Sequence, residues 1–498
     1  MTQLSTEQLI RTAIEHHRAG RSAEAAGIYR QVLAQQPKHV DALCLLGMIA
    51  KQEGRPDEAI DLLQRAIAID PRKADAYRSL GDAQRSRGKP DQAVAAYTKA
   101  VELRPDWAEA HGALGDVFRD QGKFDRAVDE YNAVIRLKPG LPAGYLNLGR
   151  ALQSQGKINE AISAYQKSTQ LNPGWADAFE GLGNGLMEAG RLEEAATALT
   201  KALAIKPELF TADWSLGKIF VAKGRENDAL ACFQRAAKLN PNNAHAHFFL
   251  ACRLVKAART DEAIAEYREA LRLKPDSPDW QYQLAAVSGD RSIKTAPAQY
   301  VRNLFDFYAP KFDKHLVDKL KYKTPKLLLQ QVLEATQRRD MDVLDLGCGT
   351  GLCGVEFRSY ARRMVGVDLS PAMLKVAESR KIYDQLTVGD LMPALLSQGD
   401  GYDLILAGDV LVYMGDLSEF MPAVAKALRN GGMLACSIED YDGAGFFLHP
   451  EERFAHSIKY FRDLTTASGL KEISANKVIL RRNKQIDVFG WTLVFGKP

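Results

Sequence analysis

Cysteine is scarce and scattered, with six thiols in 498 residues at Cys44, Cys232, Cys252, Cys348, Cys353 and Cys436. That number and spacing exclude a disulfide scaffold. The pair Cys348 and Cys353 lacks the second Cys or His pair that a zinc site needs, so no structural metal is expected. Long apolar runs are missing too: nothing approaches the roughly 18 residues a bilayer-spanning helix requires. The N-terminal MTQLSTEQLIRTAIEHH carries acidic residues and no continuous apolar core, unlike a secretory leader. A cytoplasmic chain without membrane insertion is therefore expected. An excess of one charge is also lacking, since 66 Lys plus Arg against 62 Asp plus Glu leave only +4. This is too little for a surface that coats nucleic acid, and no specific nucleic-acid partner is expected. With 46% hydrophobic and 26% charged residues the chain reads as an ordinary globular protein of about two to four domains.

What the chain has in quantity is periodicity. Prolines recur every 34 residues at Pro37, Pro71, Pro105, Pro139, Pro173, Pro207, Pro241 and Pro275, and the same interval carries Ala25, Ala59, Ala93, Ala127, Ala161, Ala195, Ala229 and Ala263. Glycines follow it at Gly47, Gly81, Gly115, Gly149, Gly183 and Gly217, and again from Gly20 through Gly54 and Gly88 to Gly224. The second glycine series falls where a helix must stop and a tight turn begin, which asks for positive φ. Each unit is then a helical hairpin whose small residues let the paired helices approach, with Tyr97, Tyr131, Tyr165, Phe233 and Tyr267 filling the gap to the next unit. Period, Leu-Gly pair, Ala and Pro together resemble the tetratricopeptide repeat, in eight copies over about residues 6 to 277, with SPDWQYQLAAVS as a capping helix. The resemblance implies an all-α superhelix with a concave groove for a protein or peptide. The residue after each Leu-Gly is Met48, Asp82, Asp116, Arg150, Asn184 or Lys218, so the groove is chemically mixed, with an acidic N-terminal end expected around Asp75, Asp82, Glu109 and Asp116.

After a linker at 289–298 the period stops, and short apolar runs alternate with helical segments, as in a parallel sheet covered by helices. Residues 1–288 thus read as the repeat array and 299–498 as a second domain. Met341 to Leu346 reads as a buried strand running into Gly347-Cys348-Gly349-Thr350-Gly351 and a helix. Such a loop admits close approach of a ligand to the backbone at the carboxyl end of the first strand. Met364 to Val367 is a second strand ending in Asp368, and Leu369-Ser370-Pro371 opens a helix capped by Ser370. Leu386 to Val388 precedes Asp390, Tyr402 to Ala407 is a fourth strand, and Asn430-Gly431-Gly432 turns into a fifth. A dinucleotide site fits less well, because the loop is Gly-x-Gly-x-Gly rather than Gly-x-Gly-x-x-Gly.

This order resembles the class I S-adenosylmethionine-dependent methyltransferases, with a catalytic part similar to ubiquinone-biosynthesis-type enzymes. The resemblance implies a Rossmann-like α/β domain with a seven-stranded sheet whose last hairpin, near Val478 to Arg482 and Ile486 to Phe495, is antiparallel. It implies S-adenosylmethionine as cofactor, its methionine part at Asp345, Gly347, Gly349 and Gly351, its ribose at Asp368 and its adenine at Asp390. Leu369, Met373 and Leu391 complete the expected cofactor set. The aromatic run Tyr300 to Asp313 resembles the lid of those enzymes, with Tyr308 over the cofactor. Methyl transfer from a sulfonium is a direct displacement, so positioning of the acceptor is the chief demand. Asp409, Tyr413, His449 and His456 are candidate catalytic residues, as bases or acceptor anchors, and Arg453 is a candidate for holding an anionic acceptor. The Asn/Asp-Pro-Pro-aromatic signature of many amino-group methyltransferases is absent at 407–411, leaving O, C or other N acceptors open. The expected function is a methyltransferase whose array recruits a protein or carrier-bound acceptor. A small-molecule enzyme with repeats used for assembly, and a cofactor-binding scaffold, remain open.

Overall fold

A computed structural model describes residues 5–396, 401–483 and 486–498. It divides into two compact units, Met1–Asn240 and Pro241–Pro498. Among the described residues the first unit is seven helical hairpins, from Thr6–Arg18 with Ser22–Gln35 to Phe210–Ala222 with Glu226–Leu239. Within a hairpin, the residue 16 positions beyond the repeat's small residue fills the space a side chain there would take. A Cβ on Gly81 would lie 2.6 Å from the Tyr97 ring, and one on Gly115 would lie 2.9 Å from Tyr131. The aromatics therefore pack first against their own repeat, and Tyr165 also against the following one, where a Cβ on Gly181 would be 2.7 Å away. Gly20, Gly54, Gly88, Gly122, Gly156, Gly190 and Gly224 all adopt positive φ at the turn between helices, as the period requires.

The groove acids are not an open negative surface. Asp75 pairs with Arg104 at 2.8 Å, Asp82 with Arg78 at 3.5 Å, Glu109 with Lys138, and Asp116 with Arg119 at 3.5 Å. The expected acidic end is thus corrected to a charge-compensated one.

The second unit opens with the eighth hairpin, Ala244–Lys256 and Thr260–Leu273, and the helix Pro278–Ser288. Strands β1 (Met341–Leu346), β2 (Ala361–Asp368), β3 (Gln385–Val388), β4 (Tyr402–Ala407), β5 (Leu428–Glu439), β8 (Lys471–Asn483) and β9 (Ile486–Gly496) form one sheet. Their order is β3-β2-β1-β4-β5-β9-β8, parallel except where β9 runs antiparallel to β5 and β8. Strands β6 (Phe446–Leu448) and β7 (Phe454–His456) make a separate antiparallel pair. Every residue of β1 and β4 is buried, as befits central parallel strands covered on both faces. Because strand order reverses direction between β1 and β4, a crevice opens at their carboxyl ends.

Residues 289–298 do not behave as a free linker. The Lys294 carbonyl accepts the N–H groups of Gly415 (2.8 Å) and Asp416 (2.9 Å), and Ala296 N–H donates to Tyr413 O at 2.9 Å. Tyr282 Oη donates to the Glu452 carbonyl at 2.8 Å. These bonds join residues far apart in sequence within the second unit.

The eighth repeat has alanine where the others have the turn glycine, and Ala258 sits at φ 56°. Ala258→Gly is expected to stabilise this unit by about 1 kcal/mol, read as a calorimetric shift of roughly 2–4 °C. Gly224→Ala should lower the stability of its own unit by a comparable amount.

Candidate active site

Above the carboxyl ends of β1 and β4 lies a cavity of about 590 Å³. Its floor is the loop after β1, where Gly347, Gly349 and Gly351 take φ of 62°, 54° and 89°. At Gly347 a side chain is excluded sterically as well, because a Cβ would fall 2.4 Å from Val410 Cγ2. Over the loop stands Phe312, whose ring would be 3.9 Å from a Cβ on Gly349. At the end of β2 the Asp368 carboxylate accepts Gly349 N–H on one oxygen (2.9 Å) and Ser370 N–H on the other (2.8 Å). Each oxygen keeps acceptor capacity for a hydroxyl in the cavity. Ser370 Oγ in turn caps the helix Pro371–Ser379 through Met373 N–H at 3.0 Å.

Asp345 lines the cavity and accepts the Tyr383 hydroxyl at 2.6 Å. Burial pushes its carboxyl up to about 7, against the lowering effect of that bond. Asp368 is also pushed up by burial. Leu369, Asp390 and Leu391 line the cavity beside them. Met373 is fully buried beneath and does not line it, and neither does Gly351, which serves the loop's turn.

The lid segment is present, with a different residue facing inward. Val301 and Phe305, one helical turn apart in Ala298–Tyr308, line the cavity with Phe312 and Tyr322. Tyr308 is 42% exposed and outside the lining, because the helix ends there and the chain turns at Ala309–Lys311. Tyr308, expected over the cofactor, thus does not reach the cavity, whereas Phe305 and Phe312 do.

Of the candidate catalytic residues Asp409 and Tyr413 line the cavity, and Arg453 joins them. Arg453 donates Nε to Glu439 (2.6 Å), Nη2 to Asp409 (2.9 Å) and Nη1 to the Tyr413 hydroxyl (3.3 Å). Three of its five N–H donors are thus taken by the protein, and its charge is shared with two carboxylates. Burial would raise the Asp409 carboxyl, but Arg453 and Arg481 outweigh that and hold it below the ordinary carboxylate range. Burial raises Tyr413. His456 is not in the cavity lining: it sits in β7, fully buried, with Nε2 bonded to the carbonyls of Met414 (2.8 Å) and Gly415 (3.1 Å). Burial lowers it to about 4, so it is neutral, and Nε2–H is the donor. His449 faces a second cavity of about 940 Å³, with Lys477 and Arg481. The structure thus brings Asp409 and Tyr413 to the first cavity and leaves both histidines out of it. Residues the sequence reading missed are Tyr383, Tyr322 and Glu439; the ring spacing of Tyr383 before β3 carries no signal that its hydroxyl reaches Asp345.

Two measurements follow from this geometry. Because the Asp345 carboxyl is raised above its unfolded value, the unfolded chain releases that proton first, and its contribution to stability falls as pH rises from about 4 to about 7. The stability difference between wild type and Asp345→Asn should fall over that window in urea titrations and level off above it. Arg453→Met removes one of the two cations shared by the buried Asp409 and Glu439, leaving one negative charge uncompensated, and is expected to destabilise the unit by about 3–5 kcal/mol, read in the same titrations.

Comparison with known proteins agrees with this architecture. Residues 344–434 match the model of a methyltransferase domain, residues 10–74 that of the tetratricopeptide repeat, and residues 71–289 that of the Cilia and flagella-associated protein 70 C-terminal domain. The chain is 24% identical over 198 residues to an uncharacterized protein of Methanocaldococcus jannaschii, covering 37% of this chain and 89% of that one. It is 29% identical over 101 residues to the ubiquinone biosynthesis O-methyltransferase of Bartonella quintana, covering 20% and 41% of the two chains. With the ribosomal protein L11 methyltransferase of Cellvibrio japonicus it shares 33% identity over 115 residues, 22% and 37% of the two chains. The chain therefore spans about two fifths of the length of these two methyltransferases. The domain match implies S-adenosylmethionine as cofactor. Glycine loop, strand-end acids and sheet order thus agree with the family match, and the chain joins a tetratricopeptide-repeat array to a class I methyltransferase domain.

Proposed function

We propose that the chain is an S-adenosylmethionine-dependent methyltransferase that works chiefly by positioning, and that its repeat array recruits a protein or carrier-bound acceptor. The observation that carries the first part is the Asp368 carboxylate, fixed by two backbone N–H groups with its free acceptor capacity at the cavity. In this reading Asp368 takes the ribose hydroxyls, Asp390 and Leu391 the adenine, and Asp345 with the loop of Gly347 and Gly349 the methionine part. When bound, S-adenosylmethionine supplies an electrophilic methyl group. Phe305 and Phe312 exclude water from above, while Tyr413 and Asp409 wall the side where the acceptor enters.

Proton transfer by the chain has little support. Asp409 is held ionised by two arginines and is a weak base, Tyr413 is raised by burial, and His456 is turned to backbone carbonyls. An acceptor nucleophilic on arrival fits such a cavity, since displacement gains most from orientation and exclusion of water. The recruiting role rests on the array itself, because a docked partner meets a fused site at high effective concentration.

Asp368→Ala is expected to weaken S-adenosylmethionine binding roughly 10- to 100-fold in calorimetry, and Gly349→Arg to abolish it by filling the cavity floor. Methyl-labelled cofactor incubated with cell extract should label a polypeptide with the full chain, less with residues 241–498, and none with Gly349→Arg. Label in a small molecule, equal for both lengths, would overturn the recruiting role; cofactor binding without any label would overturn catalysis.

A further inference from the structure

We propose that the outer face of the segment covering the cavity is a docking surface for an anionic lipid bilayer. The stretch from Ala298 to Lys323 has two faces. Inward, Phe305 and Phe312 line the cavity. Two of its three acids are also turned inward: Asp306 Oδ1 accepts the Ser370 hydroxyl (2.6 Å) and Ala372 N–H (3.3 Å), while Asp313 accepts the Thr350 hydroxyl (2.5 Å) and pairs with Arg380. Outward, Phe307 is 82% exposed, Val317 46% and Tyr308 42%. Around them Lys311, Lys314, Lys319, Lys321 and Lys323 are exposed and have no ion pair among the described residues. Asp318 is the exposed carboxylate left to face them.

The closing hairpin adjoins this segment and adds two exposed apolar side chains at the rim of a cavity also lined by charged groups of both signs, among them Asp442, Glu451, Lys477 and Arg481. Arg482 N–H donates to the Leu320 carbonyl at 2.8 Å, and Ile486 (71% exposed) and Phe489 (53%) line the second cavity together with Leu320 and His315. The Tyr308 ring lies 5.5 Å from Phe307 and 6.2 Å from His315, which joins the two parts.

Aromatic and aliphatic side chains standing out of a ring of unpaired lysines suit a headgroup layer, where rings enter the acyl boundary and ammonium groups meet lipid phosphates. A nucleic acid or acidic protein would use the lysines without needing an exposed Phe307 and Ile486. Exposed aromatic and aliphatic side chains grouped near one another mark an interaction site. Docking is peripheral, since among the described residues no helix is long and apolar enough to cross a membrane. The inference is independent of which acceptor takes the methyl group, and its readout is binding.

The test is co-sedimentation of the full chain with vesicles of phosphatidylcholine alone and of phosphatidylcholine with about one third phosphatidylglycerol. The expected result is association with the anionic vesicles roughly tenfold stronger than with neutral ones and weakened by salt. Phe307→Ser combined with Ile486→Ser should lower it about fivefold or more, and Lys314→Glu with Lys319→Glu about tenfold or more, each with an unchanged melting transition. No association of the wild-type chain would overturn the proposal. Binding that depends on the lysines but is indifferent to Phe307 and Ile486 would overturn it too, and would point to an anionic macromolecule instead.

Discussion

The wall of the cavity formed by Asp409 and Tyr413 depends on one guanidinium. Arg453 is held by Glu439 at the end of β5, Asp409 beyond the end of β4 and the Tyr413 hydroxyl, and it stands just before β7. Arg481 from β8 adds a second positive charge to the same two carboxylates, at 2.7 Å from Glu439 and 3.7 Å from Asp409. Two cations against two anions make the cluster neutral, which is what allows four ionised groups to be largely removed from water. Such a cluster contributes little net stability compared with apolar packing. Its contribution is geometric: it ties three strand ends and one loop to a single planar group, and so fixes the wall of the cavity.

The strain near this wall is in keeping with that role. Asp409 adopts φ of 59° although it is not glycine, with its N–H donated to Ser437 Oγ at 2.9 Å. A left-handed aspartate costs on the order of 1 kcal/mol and persists only where its surroundings over-determine it. Here the ion pair with Arg453 and the bond to Ser437 do so. Glu452, the residue before Arg453, is also left-handed, at φ 63°, and its side chain accepts the Tyr300 hydroxyl. The helix Pro278–Ser288 reaches the same place through Tyr282, so the segment following the last repeat is fastened to the rim rather than hung from it.

Much of this was legible in the sequence because it depends on residues that local rules place. A turn glycine every 34 residues gives the hairpins, and an acid at the end of each of the first strands, with a glycine loop between strand and helix, gives the nucleotide-type crevice. What escaped depends on distant partners. The counter-ions of Asp75 and Glu109 come from Arg104 and Lys138, 29 residues later, so the groove looks acidic until the repeats are stacked. His456, a candidate catalytic residue by its sequence, lies in a strand, and the carbonyls that claim it lie 42 and 41 residues earlier. In the lid, a helical stripe accounts for Val301 and Phe305 but stops at Tyr308. Phe312 reaches the cavity only because the chain turns at Ala309–Lys311.

The distribution of protons around the cavity bears on the chemistry more than any single residue. The carboxyl raised toward neutrality, Asp345, is engaged by Tyr383, and the one at the acceptor wall, Asp409, is lowered by its arginines. In the proposed reading, the group poised to titrate near neutral pH is thus on the cofactor side, and the group facing the acceptor is kept charged. A general base needs the reverse arrangement. If the cavity transfers a methyl group, its own contribution lies in orientation and in the dry cover of Phe305 and Phe312, and the nucleophilicity must be a property of what enters it. A site of that kind places few chemical demands on its acceptor beyond shape and delivery, which is where a fused binding array has its greatest effect.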